Sequence, residues 1–330
     1  MERELWTTSR AKCFLSCQRE HAYRYEQGYS AVSDRSALVF GTLVHAGLEA
    51  WWSDACKKTR LESSISAFLA AKPSDYDPYE AAKIEALLIG YDARWSEEDF
   101  TTLAVEKEFR APLVHPIAEE RSENFDRGGK IDAIAYDNKR RRTCGIEHKT
   151  SSLDIEPGSP YWQTLRVDGQ STNYFVGASS LGYDLDEFIY DMIGKPKLKP
   201  LKATPTANRK YKKDGTLYAN QRDKDETVAE YFARVADDIA ENPDDYYRRV
   251  PIVRLDREMV EAAAETFDVA EFSAEARRAG FAPRNTSACR RYNTLCEFLP
   301  VCIGEASLDD QRLYVKSDKQ HKELSMEVQQ

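Results

Sequence analysis

The 330-residue sequence contains no run of about 18 apolar residues, so it offers no candidate bilayer-spanning helix. Its opening stretch, Met1 to Arg10, has no apolar core and does not read as a secretion signal, which predicts a cytoplasmic protein. Without such a signal, the seven cysteines do not read as a disulfide framework. No Cys-x-x-Cys pair occurs, so the tight knuckles that structural zinc sites favour are missing. Nor is there a Gly-x-x-x-x-Gly-Lys-Ser/Thr loop, so no phosphate-cradling motor can be read in this chain. Internal repeats and low-complexity segments are absent as well.

What remains is the composition of an ordinary globular protein, 42% hydrophobic and 31% charged. A net charge of −9 argues against a protein that coats nucleic acid over its whole surface. The average conceals a basic strip. Between Lys195 and Lys224 there are ten Lys or Arg residues against Asp214 and Asp223, so this strip carries +8 and the remainder −17. Lys210, Lys212 and Lys213 are its densest group and its candidate nucleic-acid contacts; the other reading is a solvated loop.

Thr8 or Ser9 is placed to cap a first helix running to about Gln27. Helical spacings follow over Leu38–Ala55, Leu61–Ala71 and Pro78–Ser96. The period then changes to two: strands are predicted over Leu103–Pro116, Asn124–Tyr136 and Arg142–Ser151. A helix over Tyr161–Leu181 and a strand over Glu187–Ile193 complete an α+β unit. Pro196–Asp225 reads as a mobile loop, and two amphipathic helices, Thr227–Glu241 and Arg257–Ala279, flank a strand near Tyr247–Leu255. From Lys316 onward the chain is polar and is expected to fray.

Two short stretches hold the chemistry: Gly129-Lys130-Ile131-Asp132 and Ile146-Glu147-His148-Lys149. On adjacent strands, the Asp132 and Glu147 carboxylates can converge on one hard cation. Alternation puts Lys149 on the same face as Glu147 and points the His148 side chain away. A surface salt bridge among strands is the competing reading of the same spacing.

The surroundings of these stretches resemble the PD-(D/E)XK nuclease superfamily, in its RecB-like branch. Ser16-Cys17-Gln18-Arg19 with Tyr23-Arg24-Tyr25 resembles that branch's first helix, and Phe40-Gly41-Thr42-Leu43-Val44-His45 its histidine motif. Val105-Glu106-Lys107-Glu108-Phe109 is similar to the strand entering the catalytic sheet, and Gln170-Ser171-Thr172-Asn173-Tyr174 to the Gln-x-x-x-Tyr signature. The resemblance implies a restriction-endonuclease-like core, a mixed sheet flanked by helices. It implies that His45, Asp132 and Glu147, with the main-chain carbonyl of His148, hold Mg²⁺ or Mn²⁺. Lys149 would then orient or activate the attacking water, with Gln170 and Tyr174 beside it. Glu106 is the weakest candidate, on the right strand but in a supporting position. The second motif reads Glu-His-Lys where Asp-x-Lys also occurs; the extra methylene bears on metal preference and leaves the reaction class unchanged.

Cys289, Cys296 and Cys302 form a late trio. By resemblance to RecB-like and CRISPR-associated single-strand nucleases, they would join Cys17 to hold a [4Fe–4S] cluster. Cys13 is the alternative early ligand, zinc the alternative metal, and three unligated thiols the remaining possibility. Cys56 and Cys144 read as small buried residues.

The expected organisation is an N-terminal helical segment (1–100), a catalytic core (101–195), a basic loop (196–226), a helical iron–sulfur module (227–315) and a polar tail (316–330). The expected function is a metal-dependent DNA exonuclease acting on single strands or ends. The chain would work with a helicase or another recombination or CRISPR protein, in a phage, repair or CRISPR setting. The competing function is a non-catalytic or partner-dependent nucleic-acid-binding protein that keeps the fold.

Overall fold

The computed structural model describes residues 3–32, 36–165, 167–291, 294–317, 320–321 and 324. The N-terminal part contains β1 (Glu4–Trp6), α1 (Thr8–Ser16), α2 (Gln18–His21), a π-helical turn (Ala22–Glu26) and β2 (Tyr29–Ala31). Three helices follow, α3 (Ser36–Ser53), α4 (Arg60–Ala71) and α5 (Pro78–Trp95). The centre holds β3 (Phe100–Val114), β4 (Arg121–Asp137), β5 (Arg142–Ser151), α6 (Pro160–Leu165), α7 (Gly169–Ser180) and β6 (Glu187–Gly194). Then come α8 (Val228–Glu241), α9 (Pro243–Tyr246), β7 (Tyr247–Ile252) and α10 (Asp256–Arg278). The last described elements are β8 (Arg290–Arg291), β9 (Thr294–Leu295), α11 (Leu299–Cys302) and β10 (Tyr314–Lys316).

Six strands form one mixed sheet. β3, β4 and β5 are antiparallel neighbours, β6 runs parallel to β5, and β7 closes the edge antiparallel to β6. β1 joins the near end of β4 in parallel. Every residue of β6 is buried, which explains its nearly continuous apolar run: a strand covered on both faces has no reason to alternate.

Phe40, Leu43, Val44, Leu48, Trp51 and Trp52 recur at helical spacing along α3, and this stripe packs with α4, α5 and α8 on one face of the sheet. α7 covers the other face, with Tyr174 and Ala178 against Phe109, Ile131 and Phe188. Its approach depends on Gly177, where a Cβ would come within 2.5 Å of the Phe109 ring.

Several expectations differ from what is observed. The first helix is capped by Thr7, whose side chain accepts the Arg10 N–H, and it breaks at Cys17, which is extended (φ −157°, ψ 109°). The helix expected over Tyr161–Leu181 is two helices, because Asp168 caps α7 by accepting the Gln170 N–H at 3.0 Å. The basic segment has a hydrogen-bonded conformation. Thr204 and Arg222 close it, and a bridge between Tyr211 and Leu217 makes its outer part a short hairpin. In the described part of the tail, Lys316 ends β10, which pairs with β2, and His321 and Leu324 are buried; 318–319 and 322–323 lie outside the described residues. The end of the expected tail, 325–330, lies outside the described residues.

Candidate active site

The β4–β5 ladder ends at Ala133↔Ile146, and beyond it β5 is paired with β6 alone. In that fork the Asp132 carboxylate takes the place of a strand partner, accepting the His148 main-chain N–H at 2.8 Å. Glu147 and Lys149 face α7 and are bonded to each other. The Lys149 ammonium donates to Gln170 Oε1 at 3.1 Å, and the Gln170 amide donates to Glu147 Oε1 (2.6 Å) and reaches the Tyr174 hydroxyl (2.8 Å). Gln170 and Tyr174 are thus buried members of the site and not a solvated helix face.

From the other face, α3 brings His45 Nδ1 to 3.7 Å from Asp132 Oδ2. Glu106 completes a group of three: His45, Glu106 and Asp132 each offer a ligand atom, and these lie within 4.8 Å of one another. Alternation does not reveal this role, because Glu106 has φ +48°, a left-handed kink that turns its side chain out of strand register. Lys130 pairs with it. Glu147 stands outside this tight trio. Its Oε2 is buried and, among the described residues, has no hydrogen-bond partner.

The electrostatics fit a cation. Burial, then the neighbouring Asp132, pushes the Glu147 carboxyl up to about 7, and burial raises Asp132 as well. Burial and the nearby His148 bring His45 down to about 4, which keeps it a neutral donor. Burial opposes the charge of Lys149, but Glu147 outweighs it and the ammonium is held above its usual range. One imidazole, buried acids with raised pKa values and an unpartnered carboxylate oxygen are a donor set suited to Mg²⁺ or Mn²⁺.

The side chain of His148 points away from Glu147, as alternation requires, but it is not idle. Its Nδ1 lies 3.1 Å from Asp191 Oδ2. Sequence reasoning misses Asp191, although an acid inside the buried run FIYDMIG is an available signal.

The cysteines divide. Cys17, Cys289, Cys296 and Cys302 line one small cavity between the α1–α2 break and the chain around α11. Cys13 is buried elsewhere, where burial raises its thiol to about 12. Cys144 is buried but Cys56 is exposed, contrary to expectation. The seven do not form one cluster, and among the described residues no three sulfurs approach within 4.8 Å of one another. Lys210, Lys212 and Lys213 are exposed on the hairpin.

A mixed sheet flanked by helices, with acids and a lysine at the fork of two strands, is the arrangement of a restriction-endonuclease-like fold. The profile of the PD-(D/E)XK nuclease superfamily matches residues 5–303, and the chain belongs to that superfamily. That match does not distinguish the RecB-like or iron–sulfur branch. A comparison with curated proteins finds no match. Among the described residues, no helix is long and apolar enough to cross a membrane.

Proposed function

We propose that the protein is a Mg²⁺- or Mn²⁺-dependent DNA exonuclease that hydrolyses phosphodiester bonds of single strands or DNA ends. The observation that carries the reading is the convergence of His45, Glu106 and Asp132 beside the unpartnered Glu147 Oε2 and Lys149. His45, Asp132, Glu147 and the His148 carbonyl hold the cation, and we add Glu106 to that set. When bound, such a cation polarises the phosphate and lowers the pKa of an attacking water. Lys149, steered by Glu147 and Gln170, offsets the charge that develops on the phosphate. Tyr174 fixes Gln170 from below, and Lys210, Lys212 and Lys213 contact the DNA backbone.

The test is cleavage of an end-labelled oligonucleotide, with and without Mn²⁺. Asp132→Ala, Glu147→Ala and Lys149→Ala are each expected to abolish cleavage while the circular-dichroism spectrum is preserved. Full activity in Asp132→Ala would sink the assignment. An inactive wild type that still binds the oligonucleotide would favour the non-catalytic alternative.

We also propose that Cys17, Cys289, Cys296 and Cys302 hold a [4Fe–4S] cluster. Their shared cavity supports four-thiolate ligation. Zinc is the competing metal: a Zn–S bond of about 2.3 Å in a tetrahedron sets sulfurs only about 3.8 Å apart, and a cubane keeps its thiolates farther apart than that.

A further inference from the structure

Three charged or hydrogen-bonding residues stand side by side across β5, β6 and β7, in the register His148↔Asp191↔Arg249, on the face covered by α3. Asp191 is fully buried in the middle of a strand whose only other charged residue is Glu187 at its start. Its Oδ2 accepts from His148 Nδ1 (3.1 Å), from the Tyr91 hydroxyl (2.6 Å) and from Arg249 Nη2 (3.2 Å). Arg249 Nε lies 3.1 Å from Asp191 Oδ1, and its guanidinium sits 4.3 Å from the centre of the Trp95 ring. Trp52, seven residues after His45 and on the same face of α3, donates to the Tyr91 hydroxyl at 3.0 Å. The rings of His45 and His148 are 6.0 Å apart.

An ion pair this deep is a poor source of stability, since desolvating both charges cancels most of their attraction. Its position suggests another purpose. The residue it grips, His148, lies between Glu147 and Lys149, and the main-chain N–H of that residue is the one bonded to Asp132. β5 has left β4 at this point, so little else fixes the strand on that side.

We propose that Asp191, held by Arg249 and Tyr91, is a positioning residue for the metal site: it anchors the His148 imidazole on one face of β5 and thereby sets the main chain and the two side chains on the other. The geometry assigns the Nδ1 proton of His148 to Asp191, because a paired carboxylate can only accept. The inference rests on the nuclease reading and extends it to residues that touch neither cation nor DNA.

Calorimetric titration of the folded, full-length protein with Mn²⁺ tests this without any measurement of cleavage. Asp191→Asn is expected to weaken Mn²⁺ binding by about 10- to 100-fold, the range seen when outer partners of metal ligands are removed. Tyr91→Phe deletes the hydroxyl's bonds to Asp191, Trp52 and Arg249 and keeps every charge; a loss of roughly 3- to 10-fold is expected. His148→Leu is expected to bind more weakly than His148→Asn, whose amide can still donate toward Asp191. Glu187→Gln is the control, because it removes another buried acid from the same strand that pairs with Arg142 and lies outside the row. It should lower the melting temperature and leave Mn²⁺ affinity unchanged. Wild-type affinity in folded Asp191→Asn would overturn the inference, and if that variant does not fold, wild-type affinity in Tyr91→Phe would do so. A wild type that binds no Mn²⁺ would overturn the nuclease reading itself.

Discussion

Glu147 and Glu106 show how differently two acids of one site can be read from sequence. Glu147 is visible because Lys149 follows two residues later, and period two alone aligns the pair. Glu106 is hidden because its φ of +48° breaks the alternation from which strand faces are read. Each supports a measurement. The Glu147 carboxyl is raised from 4.5 to about 7, chiefly by burial, so the metal-free folded protein holds a proton there that the unfolded chain releases. Glu147's contribution to the stability of the metal-free protein should therefore fall as pH rises from about 4.5 to 7, against an opposite contribution from His45, whose pKa is lowered from 6.5 to about 4, and the isosteric Glu147→Gln variant should lack that falling component. Mn²⁺ selects the ionised carboxylate, so its stabilising effect should be larger at about pH 8 than at about pH 5.5. Melting curves with and without Mn²⁺ at both values decide the matter; an equal increment at each pH would exclude Glu147 as a ligand. Glu106→Gln should weaken Mn²⁺ binding about tenfold. Unchanged affinity would return Glu106 to the supporting role that its spacing suggests.

At the level of strands and helices, most of the architecture is legible in the sequence. The helical spacing of α3, the two-residue period of β3 to β5 and the helices expected over Pro78–Ser96 and Thr227–Glu241 all correspond to local signals. The boundaries that differ have causes of more than one kind. Cys17 and Asp168 lie inside sequences that read as continuous helix; at Asp168 the cap on the Gln170 N–H is itself a local signal, whereas no side-chain cap marks the break at Cys17. Asn285 Nδ2 donates to the Ser16 carbonyl and Arg254 to the Asp168 carbonyl, so both breaks have partners far along the chain. The basic hairpin reads as mobile because its hydrogen bonds cross it and leave no period along it. If that hairpin meets DNA phosphates, Lys210→Gln, Lys212→Gln and Lys213→Gln should together weaken binding and flatten its salt dependence. The slope should change by about 0.7 log–log units for each phosphate that is no longer neutralised on a single strand. Fluorescence anisotropy across a salt series measures it, and an unchanged slope would leave the hairpin a solvated loop.

Across the whole molecule, the chain's early and late segments are joined at several places. Cys17 shares a cavity with the late cysteines, Arg19 donates to the Ala282 carbonyl, Arg24 pairs with Glu297, and β2 pairs with β10. Anaerobically purified protein should be brown and contain iron. Cys17→Ala, Cys289→Ala, Cys296→Ala or Cys302→Ala should each bleach it, whereas Cys13→Ala should not. Iron and zinc analysis alongside the visible spectrum separates the outcomes, and colourless protein with one zinc per chain would keep the ligands and refute the cluster. The pairing of β2 with β10 has a consequence for how the protein is made. A ribosome builds Tyr29–Ala31 long before it builds Tyr314–Lys316, and at about 5–20 residues per second the wait is on the order of tens of seconds. Throughout that interval the nascent N-terminal segment has no strand to meet, and Tyr25 lacks the late His321 ring that packs against it in the finished fold. The central sheet can form while translation continues, but this seam can close only once the late segment has left the exit tunnel.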